Sequence, residues 1–167
     1  IVYTFWKFGG LLGVQLWYAV LASILIFLLL PRLATTILPK EISGVLAFLT
    51  AGLLTSTVFW RPQIITIIFF TLTLVLFKKI KKANDPRLAL WFMPLFFFWA
   101  NLHGGFAIGV CLVAWILFVE YFKYDFLEHN KENQFVRRDE TLTKKTWFAS
   151  LKWFLISIPL TFLNPYG

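Results

Sequence analysis

Residues 86–122 read PRLALWFMPLFFFWANLHGGFAIGVCLVAWILFVEYF, and this stretch decides the fold. No Asp, Glu, Lys or Arg occurs between Arg87 and Glu120, so the stretch is almost entirely apolar. Residues 101–105, Asn-Leu-His-Gly-Gly, break the apolar run, because polar residues and paired glycines are typical of a turn. As helices, residues 105–122 are long enough to cross the hydrocarbon of a bilayer, and residues 86–100 barely so. The stretch therefore predicts two transmembrane helices joined by a short break.

The composition of the whole chain agrees with a membrane protein. Of its 167 residues, 59% are hydrophobic and only 14% are charged. A soluble domain carries about 25% charged residues and could not hide this much apolar surface in one core. In a bilayer, lipid can surround this apolar surface, so it need not be buried in a core. We therefore predict an all-α membrane fold, a polytopic transmembrane helical bundle.

The same pattern predicts about six spans, which we expect to form a single transmembrane region. The spans are residues 10–30, 42–59, 62–77, 86–100, 105–122 and 146–163. Asn84-Asp85-Pro86 predicts a cap followed by proline at a helix start. The chain begins at Ile1 rather than Met and stops just after an apolar run, so we expect it to be an internal segment of a longer protein.

The positive charges distinguish the two sides of the membrane. Loops 31–41, 78–87 and 123–145 fall on one side when spans alternate, and they carry 13 of the 16 Lys and Arg residues. The positive-inside rule places these loops in the cytoplasm. Topology thus accounts for the net charge of +8, and we predict no nucleic-acid partner.

Three short polar segments fall on the opposite, extracytoplasmic face: residues 60–63, 99–105 and 163–167. Their convergence at one membrane depth is the sequence's main indication of a site. The candidate site residues are Arg61, Asn101, His103, Gly104, Gly105, Asn164 and Tyr166.

Each candidate has a functional and a structural interpretation. Arg61 suits phosphate oxygens, and it equally suits an interface anchor. His103 can donate to a phosphate or move a proton, and it can also cap a broken helix. Gly104 and Gly105 can present backbone N–H groups to an anion or form a tight turn.

The remaining candidate residues favour structural roles, and the acids supply no general base at the outer face. Asn101 and Asn164 are predicted to cap backbone groups, and Tyr166 to be an interface aromatic. All eight acids fall on or near the cytoplasmic side, so the outer face has no general base. One histidine without carboxylates is too few ligands for a metal, so we predict no metal site.

The outer motifs together resemble a known group of proteins. Arg61-Pro62-Gln63, then Trp99 to Phe106, then Asn164 to Gly167 occur in an order similar to bacterial polytopic proteins related to membrane glycosyltransferases of the C-type fold. The resemblance covers roughly residues 42–167. It implies a transferase of the bacterial cytoplasmic (inner) membrane that uses a polyprenyl-phosphate-linked sugar donor at the extracytoplasmic face.

The resemblance also sets the expected partners and the limits of the site. The partners are the lipid bilayer and a lipid-linked sugar, and the candidate residues are expected to contact the donor phosphate. The acidic catalytic loop of such enzymes lies outside this sequence, so the catalytic residues are unknown. A divalent metal would be bound through that loop, and the cofactor is likewise unknown.

Three other interpretations stay open. A lipid-linked oligosaccharide polymerase or ligase of another fold would use the same face. A transporter or flippase predicts inverted repeats and mid-membrane polar residues, and neither is visible in the sequence. In a structural membrane subunit, the outer motifs would serve only to end helices.

Overall fold

A computed structural model describes residues 2–29, 63–129 and 141–163, and all regular structure within them is helical. The elements are α1 (Val2–Ser23) with a π-helical turn (Ile24–Leu29), α2 (Gln63–Ala83), a 3-10 helix (Pro86–Trp91), α3 (Phe92–Leu102), α4 (Phe106–His129) and α5 (Lys144–Leu160). The predicted all-α class is confirmed for these residues. The chain divides into two compact units, unit 1 (Ile1–Leu72) and unit 2 (Thr73–Gly167).

Helical structure is present at the predicted spans 10–30, 62–77, 86–100, 105–122 and 146–163, although its bounds differ from the predicted ones. The span predicted at 42–59 lies outside the described residues. Helices α2 and α4 continue past the predicted loop starts at 78 and 123, to Ala83 and His129, because lysine-rich ends are good helix formers. Within the described part of the chain, two segments are long and apolar enough to cross a membrane: Gln63–Ala83 and Phe106–Asp125.

In unit 1, α1 is broken at Gly10. Gly10 has φ 55° and ψ −143°, a conformation that essentially only glycine adopts. The Phe5 and Trp17 rings, on either side of this break, stack with centroids 4.7 Å apart. The predicted first span therefore begins at a real break, but helix also precedes it.

The first turns after α2 follow from local capping. Asn84 ends α2 with φ 50°, and the Asp85 side chain accepts a hydrogen bond from Arg87 N at 2.9 Å. Pro86 opens the 3-10 helix, so the predicted cap is confirmed. The predicted continuous helix over 86–100 is wrong in detail, because Pro94 has no N–H to give to a carbonyl four residues earlier. The α-helix accordingly begins only at Phe92.

The core of unit 2 is a cluster of aromatic rings contributed by three helices. Phe92 and Phe96 of α3 are fully buried, and their ring centroids lie 6.4 Å and 5.9 Å from that of Phe154 in α5. Phe77 of α2 packs on Phe92 at 5.2 Å. The exposed Phe98 points away from this cluster. The cluster joins α2, α3 and α5.

Helix α4 approaches α3 through a glycine. A Cβ atom added at Gly109 would lie within 3.0 Å of three ring atoms of Trp99, which is fully buried. Only glycine lets the indole ring lie directly against the α4 backbone. Gly109 follows Gly105 by four residues, a spacing typical of closely packed membrane helices, and its contact with Trp99 fits that pattern.

Helix α5 buries several small polar residues and exposes several large apolar ones. Its buried polar residues are Thr146, Ser150 and Ser157, with Thr161 directly after its end, whereas Phe148, Leu155 and Ile156 are exposed. The buried hydroxyls are satisfied locally; for example, Ser150 donates to Thr146 O at 2.8 Å. Small polar residues between helices and large apolar residues outside are typical of helices surrounded by lipid.

Candidate functional site

Unit 2 has two chemically different ends. At one end, Asn84 Oδ1 accepts hydrogen bonds from Thr143 N at 3.1 Å and Thr143 Oγ1 at 3.0 Å, just before α5 begins. At the other end, Asn101 Nδ2 lies 3.5 Å from Leu163 O, just after α5 ends. Helix α5 has 17 residues and is about 26 Å long. Because Asn84 lies at its start and Asn101 near its end, residues 84–101 run alongside α5 over the same length.

The break between α3 and α4 is built around His103. Its backbone is extended, with φ −159° and ψ 137°, and its N–H donates to Trp99 O at 2.9 Å. Its Nδ1 accepts a hydrogen bond from Gly105 N at 3.1 Å. An accepting Nδ1 carries no proton, so in the neutral ring the proton is on Nε2, which is the donor atom.

These contacts bear on several of the interpretations left open by the sequence. His103 accepts a hydrogen bond at the helix break and Asn101 donates to Phe97 O at 2.8 Å, so both side chains contact backbone groups as capping residues do. The Gly105 N–H donates to His103, so it is not a donor open to an anion. Gly104 is exposed beside it.

The structure brings four of the predicted site residues together, Asn101, His103, Gly104 and Gly105, at the end of unit 2 where Leu163 lies. Leu163 directly precedes Asn164 in the chain. Arg61, Asn164 and Tyr166 lie outside the described residues. Within the described ranges, no group of three or more His, Cys, Asp or Glu side chains is placed to hold a metal ion.

The opposite end contains a buried carboxylate that sequence reasoning missed. Glu120 of α4 is 5% exposed, and its Oε1 is 2.9 Å from Lys81 Nζ and 3.4 Å from Lys123 Nζ. Its Oε2 is buried and has no hydrogen-bond partner among the described residues. The sequence places Glu120 only near the cytoplasmic side. Its spacing from Val113 and Leu117, which are buried on the same helix face, is the signal that predicts burial.

Because Glu120 is buried, its lysine partner should matter for stability. Lys81→Met should lower the free energy of unfolding by about 2 kcal/mol, below the usual cost of breaking a buried pair, since Lys123 remains near the carboxylate. The exposed Lys82 beside it is the matched control, and Lys82→Met should change stability by less than about 0.5 kcal/mol. Chemical denaturation in detergent micelles measures both, and equal effects would contradict this role for Lys81.

Comparison with known proteins found no match: no protein-family model, curated protein or solved structure is similar to this chain.

Proposed function

We propose that this chain belongs to a multi-pass protein of the bacterial cytoplasmic membrane with glycosyltransferase-like activity. At its extracytoplasmic end, the helix break that contains Asn101, His103 and Gly104 binds the phosphate of a polyprenyl-phosphate-linked sugar, with His103 as the donor. The observation that carries the proposal is the contact between Asn101 and Leu163 beside the His103 break. Leu163, the described residue that precedes the third outer motif, thereby lies at the same end of unit 2 as Asn101 and His103.

The distribution of polar and charged side chains supports the membrane part of the proposal. Exposed apolar faces on α4 and α5 match a lipid environment, and Glu120 points inward instead. Lys81 and Lys123 lie at the end opposite His103. The positive-inside rule makes their end cytoplasmic and the His103 end extracytoplasmic.

The chemistry of His103 supports the site. In glycosyl transfer, the bond between the anomeric carbon and the phosphate oxygen breaks, and the departing lipid phosphate gains negative charge. A hydrogen bond from His103 Nε2 stabilises that charge where it develops. The acceptor hydroxyl bonds to the anomeric carbon and gives up its proton to a base. The acids whose side chains are described, Asp85, Glu120 and Asp125, are in the half of unit 2 away from His103, so that base belongs to another segment.

The same end also offers an apolar surface for a lipid donor. Phe162 and Leu163 are strongly exposed, beside the Asn101 side chain. A polyprenyl chain lying in the bilayer can pack on these residues while its phosphate stays at the interface near His103. The donor would enter sideways from the membrane.

Substitutions of His103 separate a phosphate contact from a purely structural cap. Asn places a carbonyl oxygen near the position of Nδ1, so His103→Asn keeps an acceptor for Gly105 N–H but removes the Nε2 donor. We expect His103→Asn in the full-length protein to fold normally and to lose about a hundredfold in transfer rate. His103→Ala should lose both the cap and the activity.

The assay follows transfer from polyprenyl-phosphate sugars by the purified full-length protein, with circular dichroism reporting the folded state. Normal transfer by a folded His103→Asn protein would contradict the phosphate contact and favour the interpretation as helix-end structure. Absence of transfer by the wild-type protein from a panel of such donors would overturn the glycosyltransferase proposal.

A further inference from the structure

A small groove lies between α4 and α5 at the end of unit 2 opposite His103. Its lining residues are Tyr121, Tyr124, Asp125, Lys144, Trp147 and Phe148, and its volume is about 250 Å³. The Trp147 indole donates to Leu117 O at 2.9 Å, which fixes that ring against α4. The groove is separate from the proposed sugar-donor site.

The charges of the groove favour a zwitterionic ligand. Its lining holds one carboxylate, Asp125, and one ammonium, Lys144, and both residues are exposed. Asp125 would repel a purely anionic ligand, and Lys144 would repel a purely cationic one. Helix α5 begins at Lys144, so the positive end of its dipole adds to the attraction for a phosphate on that side.

Aromatic rings supply the rest of the complementarity. The Tyr121 and Trp147 ring centroids are 5.5 Å apart, with the planes inclined at 48°. An ammonium group over such faces is attracted by the ring quadrupoles. The lining therefore offers a carboxylate and aromatic faces to an ammonium, and a lysine with a helix N-terminus to a phosphate.

The size and position of the groove indicate a lipid head group. Pockets for drug-sized ligands occupy roughly 300–1,000 Å³, so this groove holds only a smaller group. Phe148 in the lining and the neighbouring Phe118 and Phe122 of α4 are exposed and can pack on acyl chains. The lysines nearby place the groove at the cytoplasmic leaflet.

We propose that this groove binds the head group of phosphatidylethanolamine from the cytoplasmic leaflet, with its phosphate on Lys144 and its ammonium on Asp125 and the Tyr121 and Trp147 rings. The inference rests on the membrane placement in the proposed function, and it does not need the transferase activity.

Native mass spectrometry of the detergent-purified full-length protein tests the proposal by giving the Kd of the first bound lipid. Phosphatidylethanolamine should bind about tenfold more tightly than phosphatidylglycerol, which lacks the ammonium, and than phosphatidylcholine, whose methylated nitrogen cannot donate to Asp125. Soluble glycerophosphoethanolamine should bind much more weakly, because it has no acyl chains.

Adjacent lysines give the matched variants. Lys144→Gln and Asp125→Asn should each weaken phosphatidylethanolamine binding about tenfold, whereas Lys145→Gln, next to the groove but outside its lining, should leave it unchanged. Equal effects of the two lysine variants, or phosphatidylglycerol binding as tightly as phosphatidylethanolamine, would overturn the inference.

The His103→Asn protein separates this inference from the proposed function. It should still bind phosphatidylethanolamine with the wild-type Kd. Loss of selective lipid binding with transfer retained removes only the groove proposal. Selective lipid binding in a protein that shows no transfer removes only the transferase proposal.

Discussion

Replacing Phe96 by alanine should lower the free energy of unfolding by about 3 kcal/mol. Phe96 is fully buried and packs on Phe92, Trp99 and Phe154. A buried Phe→Ala change costs about 3–5 kcal/mol in water-soluble proteins, where both lost transfer energy and the cavity contribute. In the proposed membrane setting the transfer contribution largely disappears, so the expected cost comes from lost packing and lies at the lower end.

Phe98 is the matched control, two residues along the same helix. It is 55% exposed, so Phe98→Ala should change the free energy of unfolding by less than about 1 kcal/mol. Denaturant titration of the detergent-solubilised protein, followed by tryptophan fluorescence, measures both variants. A larger loss for Phe98→Ala than for Phe96→Ala would mean that α3 faces its neighbours with the other side.

Replacing Trp115 by aspartate should make membrane insertion of α4 less favourable, by a free energy similar to that lost in Phe96→Ala. Trp115 is 63% exposed and is the tenth of the 20 residues in the candidate span Phe106–Asp125. An aspartate at the centre of a transmembrane helix costs about 3 kcal/mol in apparent insertion free energy. In a water-soluble helix an exposed position would tolerate the same change within about 0.5 kcal/mol.

Trp115→Leu, which keeps the position apolar, is the control and should insert as well as the wild type. The measurement is the fraction of the α4 segment integrated into microsomal membranes, scored by glycosylation of flanking acceptor sites. Equal insertion of the aspartate and leucine variants would show that this face of α4 does not meet lipid.

Much of the fold could be predicted from the sequence because its signals are local or compositional. The apolar runs predict helices, and Asn84, Asp85 and Pro86 predict the cap that the structure contains. The four-residue spacing of Gly105 and Gly109 is typical of close packing, which the Trp99 ring provides at Gly109. Of the candidate site, the proximity of Asn101 to Leu163 follows from alternating helix directions.

The remainder depends on rotations and contacts that spacing alone does not determine. Burial of Glu120 requires knowing which face of α4 meets α2, and the groove depends on side chains from α4 and α5 meeting. The 3-10 start of the 86–102 segment results from the missing N–H of Pro94, a detail that an apolar pattern does not reveal. The hydrogen bond from Gly105 N–H to His103 likewise depends on the backbone geometry of the break, which the sequence does not specify.

The most direct test of the central claim is the sidedness of the two ends of unit 2. Single cysteines at Gly104, where an added Cβ meets no atom within 4 Å, and at the exposed Lys82 are placed in a Cys111→Ser background. A membrane-impermeant maleimide should label Gly104→Cys from outside intact spheroplasts, and should label Lys82→Cys only after permeabilisation. Labelling of both positions from the same side, or of Lys82→Cys alone from outside, would contradict the account.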